Sequence, residues 1–390
     1  MPAYNAHDVR RKARQRLPRG LFDFVDRGAE DEFALDANRQ AFRDIKLVPR
    51  VLANVSGRDP ATSLFGQAVS APIVVAPTGA AGLLWFEGEI ALARAAAKAG
   101  LPFTLATGSL TAMERVAAEA GGNLWFQLYM WPDRSMSHAL VERARKAGFK
   151  ALVVTVDTAV PSNREYNLRS GFTVPFRFTS KNIVDVALHP RWLCGVLGRY
   201  LLTTGMPRYR NYPTDMQQKM TAAPMGKAMP KADSLSWDDL RDLRRLWSGQ
   251  LLIKGVLHPA DAEAAVACGV DGIIVSNHGG RVLDAAIPPV MALPAILERV
   301  AGRVPVLLDS GITRGSDVVK ALALGAKAVL VGRAPLWGVA TGGQAGAEQI
   351  LAILKEETRR VMGQVGSRTV DALSRDVLCM PHAPGPAATA

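Results

Sequence analysis

The residues best able to do chemistry stand together at Val275-Ser276-Asn277-His278-Gly279-Gly280-Arg281. An imidazole exchanges a proton near neutral pH, and a guanidinium three residues on can clamp a carboxylate through paired hydrogen bonds. The two glycines between them let backbone approach a ligand closely. The apolar run Gly272-Ile273-Ile274-Val275 reads as a buried strand, so the polar cluster falls at a strand's C-terminal end, where parallel α/β proteins carry their sites. The plain alternative is a surface turn with a chance His and Arg. Lys254 is the lone cation of Leu251-Leu252-Ile253-Lys254-Gly255, and Asp157 ends Thr155-Val156-Asp157. A lysine so placed can form a Schiff base, stabilise an anion or snorkel outward, and the aspartate can be an ordinary strand-end cap. Taken with His278, the set favours proton abstraction next to a carbonyl or hydroxyl carbon, Asp157 orienting the base and Lys254 countering negative charge.

Elements must bring these residues to one place. Apolar runs centre near Val75, Thr104, Phe126, Val154, Ile253, Ile274, Leu307 and Leu330, and Ala-rich segments of helical period fill most gaps, at 87–99, 112–120, 135–147, 259–268 and 316–324. Eight strands alternating with helices predict a (β/α)8 TIM barrel, with a doubly wound sheet as the competing architecture. Residues 7–45 read as an N-terminal helical segment broken at Leu17-Pro18. The strand ends then offer Pro77-Thr78-Gly79, Ala106-Thr107, Gln127-Leu128-Tyr129, Thr155 to Asp157, Lys254, Ser276 to Arg281, Asp309-Ser310-Gly311 and Gly332-Arg333 to a single mouth. Glycine turns after the last two strands are where barrels seat a phosphate, so a phosphate-bearing cofactor is expected. Singly, each such turn is weak, because tight turns need glycine anyway.

The interval between the fourth and fifth strands is far longer than the others and holds an insertion at 161–235. There Phe176, Phe178, Trp192, Leu193, Val196, Leu197, Tyr200, Leu201, Leu202 and Tyr209 interleave with Arg191, Arg199, Arg208 and Arg210. That mixture suits a segment lying in a membrane interface; a lid over the site or a subunit contact are the alternatives. No run of 18 apolar residues could span a bilayer. With 390 residues, 48% of them hydrophobic, one large barrel can build its core, and the chain reads as one unit, 1–390, with a disordered tail at 383–390. The net charge of +12 invites acidic partners, but the basic residues are scattered and carry no nucleic-acid motif. Cys194, Cys268 and Cys379 are too few and dispersed for a disulfide framework, which favours a reducing, cytoplasmic setting. The Arg10 to Arg14 run is followed by Asp23, Asp26 and Glu30 to Glu32, so it reads as a solvated helix face rather than a transit peptide.

These residues resemble the FMN-dependent α-hydroxy acid dehydrogenase and oxidase family from about residue 7 to about residue 378. The most specific stretch is Ser276 to Asp284, supported by Gly28-Ala29-Glu30-Asp31-Glu32, Ala76 to Gly79, Phe126 to Tyr129, Thr155 to Asp157, Leu252 to Gly255 and Lys320 to Ala326. Gly79, Leu84-Trp85, Leu124 to Gln127, His189 to Trp192 and Gly332 to Ala334 are similar to its membrane-associated mandelate dehydrogenase branch. The resemblance implies FMN, an (S)-2-hydroxy acid oxidised to the 2-oxo acid, electrons passed to a membrane quinone, a tetramer, and peripheral attachment to the inner face of the cell membrane. It implies His278 as base with Asp157 stabilising its imidazolium, Arg164 and Arg281 on the substrate carboxylate, and Tyr129 on the substrate. Lys254 would stand at the flavin's pyrimidine end, with Gln127, Thr155, Ser276 and backbone at Pro77, Thr78 and Gly79 on the ring. Asp309 would take the ribityl chain, and Gly311, Gly332 and Arg333 the phosphate. Three positions depart: Phe24 for a carboxylate-binding tyrosine, at a cost of about 0.5 to 1.5 kcal/mol; Ala106 for a serine; and Thr313 for an arginine at the phosphate, with Arg314 as a displaced substitute. The rival readings are a soluble oxidase delivering electrons to oxygen and making peroxide, against which Gly79 and the insertion lean, and a non-catalytic flavin- or phosphate-binding barrel.

Overall fold

A computed structural model describes residues 2–172, 179–213, 216–217 and 233–380. Phe176, Phe178 and the expected disordered tail lie outside these.

Eight parallel strands close into a barrel: β1 (Ile73–Val75), β2 (Phe103–Ala106), β3 (Leu124–Leu128), β4 (Ala151–Thr155), β5 (Gln250–Val256), β6 (Gly272–Val275), β7 (Val306–Leu308) and β8 (Ala328–Val331). Each pairs with its neighbour in sequence, and β8 closes on β1 with Val329 opposite Ile73 and Val331 opposite Val75. Closure removes both sheet edges and excludes the doubly wound alternative. All eight runs read from the sequence are these strands, and the five Ala-rich segments form helices within a residue or two of the expected bounds.

Strand period 2 decides what each side chain meets. Val74, Trp125, Ala151, Val153, Leu252, Ile274, Leu307, Ala328 and Leu330 point into the barrel and form its inner core. Alternate residues, among them Ile73, Leu152, Val154, Ile253, Val275 and Val329, face the helices. A short hairpin, Thr62–Leu64 with Gln67–Val69, plugs the bottom of the barrel: Phe65 packs edge-on to Trp125 at 5.8 Å. Above the apolar layer the same inward register continues with Ala76, Ala106, Gln127, Thr155, Lys254, Ser276, Asp309 and Gly332. The barrel therefore changes from apolar to polar one layer below its mouth.

Three helices precede the barrel: α1 (Ala6–Arg16), α2 (Arg19–Asp26) and α3 (Phe33–Asp44). Leu17 and Pro18 separate α1 from α2, as the X-Pro restriction requires. The insertion is only partly as expected. Trp192, Val196 and Tyr200 are buried; Trp192 Nε1 donates to the Leu83 carbonyl at 2.7 Å, and the Tyr200 hydroxyl accepts from Glu87 N at 3.1 Å. Tyr209 stacks on Tyr212 at 4.8 Å. Trp192 and Tyr200 spend their polar groups on the barrel's own backbone and so anchor the insertion to it rather than facing outward. Leu201 and Leu202 are exposed as the sequence suggested, and Leu168, Ile183, Val184 and Leu188 are exposed beside them in the chain. Among the described residues no helix is long and apolar enough to cross a membrane.

Candidate active site

The loop after β6 is built by local necessity. Asn277, Gly279 and Gly280 let the chain turn, with both glycines and His278 in the left-handed region; His278, at φ +58°, is a non-glycine residue held there. Its backbone N–H donates to Ser276 Oγ at 3.0 Å. A Cβ on Gly280 would lie 2.5 Å from Leu35 N, so only glycine allows α3 to dock on this loop. Two residues of the loop hold α3 in place. The Asp284 carboxylate accepts from Asp31 N and Ala34 N, both at 3.1 Å, capping the helix from outside; Asn38 and Asn277 exchange amide hydrogen bonds of 2.9 and 2.7 Å.

His278 Nδ1 lies 2.9 Å from Asp157 Oδ1, and its Nε2 faces the cavity, 3.5 Å from the Tyr129 hydroxyl. Asp157 can come this close because Gly255 stands beside it: a Cβ there would fall 2.6 Å from Asp157 Cβ. Burial lowers the His278 pKa against the opposing pull of Asp157, so the ring is neutral at pH 7. Burial would raise Asp157, but His278 and Lys254 outweigh it and hold the carboxyl below its usual range. A proton on Nδ1, shared with an ionised Asp157, leaves Nε2 as an available acceptor. Tyr129 is pushed up to about 12, chiefly by burial and then by Asp157, and stays a neutral donor.

Lys254 is almost fully buried, donating to Ser276 Oγ at 2.8 Å and pairing with Asp309 Oδ2 at 3.0 Å. Burial pulls its pKa down, yet Asp309 and Asp157 together raise it, so the ammonium persists. Arg164, Arg281 and Arg333 share a contrary condition. Their hydrogen bonds run to carbonyls: Arg164 to Arg281 O, Arg281 to Arg27 O, Arg333 to Asp26, Arg27 and Gly279 O. None pairs with a carboxylate among the described residues. Burial, then the charge of Arg281, lowers Arg164 to about 10 and Arg333 to about 9. Half-buried cations without counterions make a site that gains stability when anions enter.

One cavity unites these groups. Its lining includes Phe24, Pro77, Thr78, Gly79, Gln127, Tyr129, Thr155, Arg164, Lys254, His278, Arg281, Asp309, Gly311, Gly332 and Arg333, the residues read from the sequence, together with Ala106 and Thr313. Ser276 and Asp157 stand behind the wall, supporting Lys254 and His278. Phe24 packs on Phe172 at 5.5 Å with the Arg281 guanidinium 5.6 Å from its ring. Arg314 is the exception: it pairs with Glu357 at 2.6 Å and is spent on helix packing, not on the cavity. Sequence reading missed Leu35, Arg39 and Trp337. Ser310, read at the mouth within the glycine turn, does line the cavity; Leu35 and Arg39 come from α3, and no local pattern ties that helix to the barrel mouth.

The donor set fits FMN. Gln127 Nε2 and Thr155 Oγ1 are buried and have no partner among the described residues, an arrangement that a planar heteroaromatic ring with amide and carbonyl edges would satisfy. Lys254 stands beside them, and Gly332 with Arg333 opens the helix after β8 where a phosphate can be seated.

Comparison with known proteins agrees with this chemistry. The FMN-dependent dehydrogenase family matches residues 13–380. The chain is 41% identical to (S)-mandelate dehydrogenase of Pseudomonas putida over 96% of its length and 93% of that protein, and 42% identical to L-lactate dehydrogenase of Xanthomonas campestris pv. campestris over 96% of each. It superposes on the crystal structure of the monotopic membrane protein (S)-mandelate dehydrogenase with a TM-score of 0.91 at 40% identity, covering 98% of this chain and all of that one.

Proposed function

The chain belongs to the FMN-dependent dehydrogenase family, and on that footing we propose that it oxidises an (S)-2-hydroxy acid, mandelate-like or lactate-like, to the 2-oxo acid and passes the electrons to a membrane quinone. The observation that carries this reading is the pairing, in one cavity, of a neutral base oriented by a carboxylate with half-buried arginines that lack carboxylate partners among the described residues.

Arg164 and Arg281 hold the substrate carboxylate, each supplying N–H donors from a low-dielectric wall. Tyr129 donates its hydroxyl hydrogen to the substrate and narrows the approach to His278. His278 Nε2 takes a proton from the substrate, and Asp157 stabilises the imidazolium that results. FMN, when bound, would take up the two electrons, with the second of the two protons the substrate loses passing to the flavin or to solvent. Lys254 keeps a positive charge at the barrel end of the cavity, and Gln127, Thr155 and the backbone of Pro77, Thr78 and Gly79 hold the ring. Asp309 serves the ribityl chain, and Gly311, Gly332 and Arg333 the phosphate. Phe24 offers an apolar, polarisable wall beside Arg281, which suits an aryl substituent better than a small polar one.

A quinone acceptor is supported by the outward row Ile183, Val184, Leu188, Leu201 and Leu202, which would lie in the headgroup region of the inner leaflet. The exposed residues Phe33, Leu283, Ile287 and Met291, on and around α3 and the loop that caps it, are the surface we assign to a homotetramer contact. The test is acceptor choice: with (S)-mandelate or L-lactate, reduction of a short-chain ubiquinone analogue should outpace peroxide formation in air. Rapid peroxide production without quinone reduction would instead make the enzyme an oxidase.

A further inference from the structure

The end of the cavity expected to take a phosphate contains a cation that no strand end supplies. Leu35 and Arg39, one helical turn apart on α3, both line the cavity with Ser310, Gly311, Ile312, Thr313 and Arg333. Thr313 brings no charge there, and Arg314 is committed to Glu357. Arg39 is not committed. Its carboxylate contact is a loose one, Nη1 to Asp36 Oδ1 at 3.5 Å, with the Asp36 side chain 78% exposed, and an exposed pair of this kind is worth little.

The position of Arg39 is set by its neighbours rather than by its own side chain. Asn38, the preceding residue, is buried and locked to Asn277, and a Cβ on Gly311 would fall 2.6 Å from the Asn38 carbonyl oxygen. Backbone of α3 thus packs directly on the glycine turn after β7. Arg333 lies across the same space, with its guanidinium on carbonyl oxygens and no carboxylate partner among the described residues.

We propose that Arg39 is a binding residue for the FMN phosphate, delivered from the N-terminal helix opposite Arg333 and standing in for the cation that Thr313 does not provide. The inference rests on the FMN reading above and adds a residue to it. A phosphate dianion between two guanidiniums would have a charge-assisted donor on each side, an interaction that the uncharged flavin ring and ribityl chain cannot make.

The test separates the phosphate from the rest of the cofactor. Apoprotein prepared from the full chain is titrated with FMN and with riboflavin, following flavin fluorescence, for the wild type, Arg39→Ala and Arg39→Gln. Both variants should weaken FMN binding by about ten- to a hundred-fold and leave riboflavin affinity unchanged. Equal weakening for the two flavins would assign Arg39 to the fold of α3 and overturn the proposal, as would unaltered FMN affinity. A wild-type apoprotein that binds neither flavin would refute the FMN reading itself, and the inference with it.

Discussion

His278 is the base of the proposed reaction because its surroundings leave it one role. Its backbone is held at φ +58°, its Nδ1 is taken by Asp157, and burial keeps the ring neutral, so Nε2 is the atom free to receive a proton. His278→Gln should retain flavin and lose about 10² to 10⁴ in the rate of its reduction by substrate; stopped-flow absorbance reads both. The pH profile follows from the direction of the shift. The active form is unprotonated, so the rate is flat at neutral pH and falls as pH drops through the lowered pKa, giving an acid limb below 6.5. Asp157→Asn removes the charge that pulls this pKa up, so the limb moves further to acid while the plateau falls. A limb that moved toward neutrality would contradict the assigned pairing. Most of these residues were legible in the sequence because they follow strands directly. Arg39 was not, since α3 meets the barrel through Asn38 and Asn277, 239 residues apart.

At the scale of elements, the strand register explains why the site could be read at all. The inward positions that hold Val153, Leu252, Ile274 and Leu307 lead, two residues later, to Thr155, Lys254, Ser276 and Asp309. Apolar runs mark the strands, and the next inward residue of each is a site residue by geometry alone. Docking of α3 depends on side chains distant in sequence. Asp284→Ala leaves Asp31 N and Ala34 N without their acceptor and should cost about 1 to 3 kcal/mol, seen as a lower Tm and faster loss of flavin from the holoprotein. Gly255→Ala puts a Cβ into Asp157 at a φ of +109°, and should depress flavin reduction far more than flavin affinity. The insertion resisted reading for a related reason. Composition showed aromatic and basic residues, but which rings face outward depended on partners such as the Leu83 carbonyl and Glu87 N–H.

For the whole molecule, the exposed apolar residues allow the proposed membrane and subunit contacts to be tested. Replacing Ile183, Val184, Leu188, Leu201 and Leu202 by serine should abolish sedimentation with anionic phospholipid vesicles and leave flavin reduction by a water-soluble substrate intact. Retained vesicle binding would place the membrane contact elsewhere. Ile287→Glu with Met291→Glu should lower the mass of the assembly measured by light scattering, whereas an unchanged mass would exclude this face from the subunit contact. The sequence pointed to the insertion as the membrane segment but not to its outward side chains, and it gave no sign of the proposed subunit face, because scattered exposed apolar residues are ordinary in any sequence and gain meaning only from their neighbours in space.

The central claim is that this barrel removes two protons and two electrons from a 2-hydroxy acid held on Arg164 and Arg281. It is tested most directly by mixing the purified, flavin-loaded protein anaerobically with (S)-mandelate and, separately, L-lactate, and recording the visible spectrum. The account predicts bleaching of the oxidised flavin band by at least one acid, with formation of the matching 2-oxo acid. A flavin that stayed oxidised with every (S)-2-hydroxy acid, in a protein that still bound those acids, would contradict it.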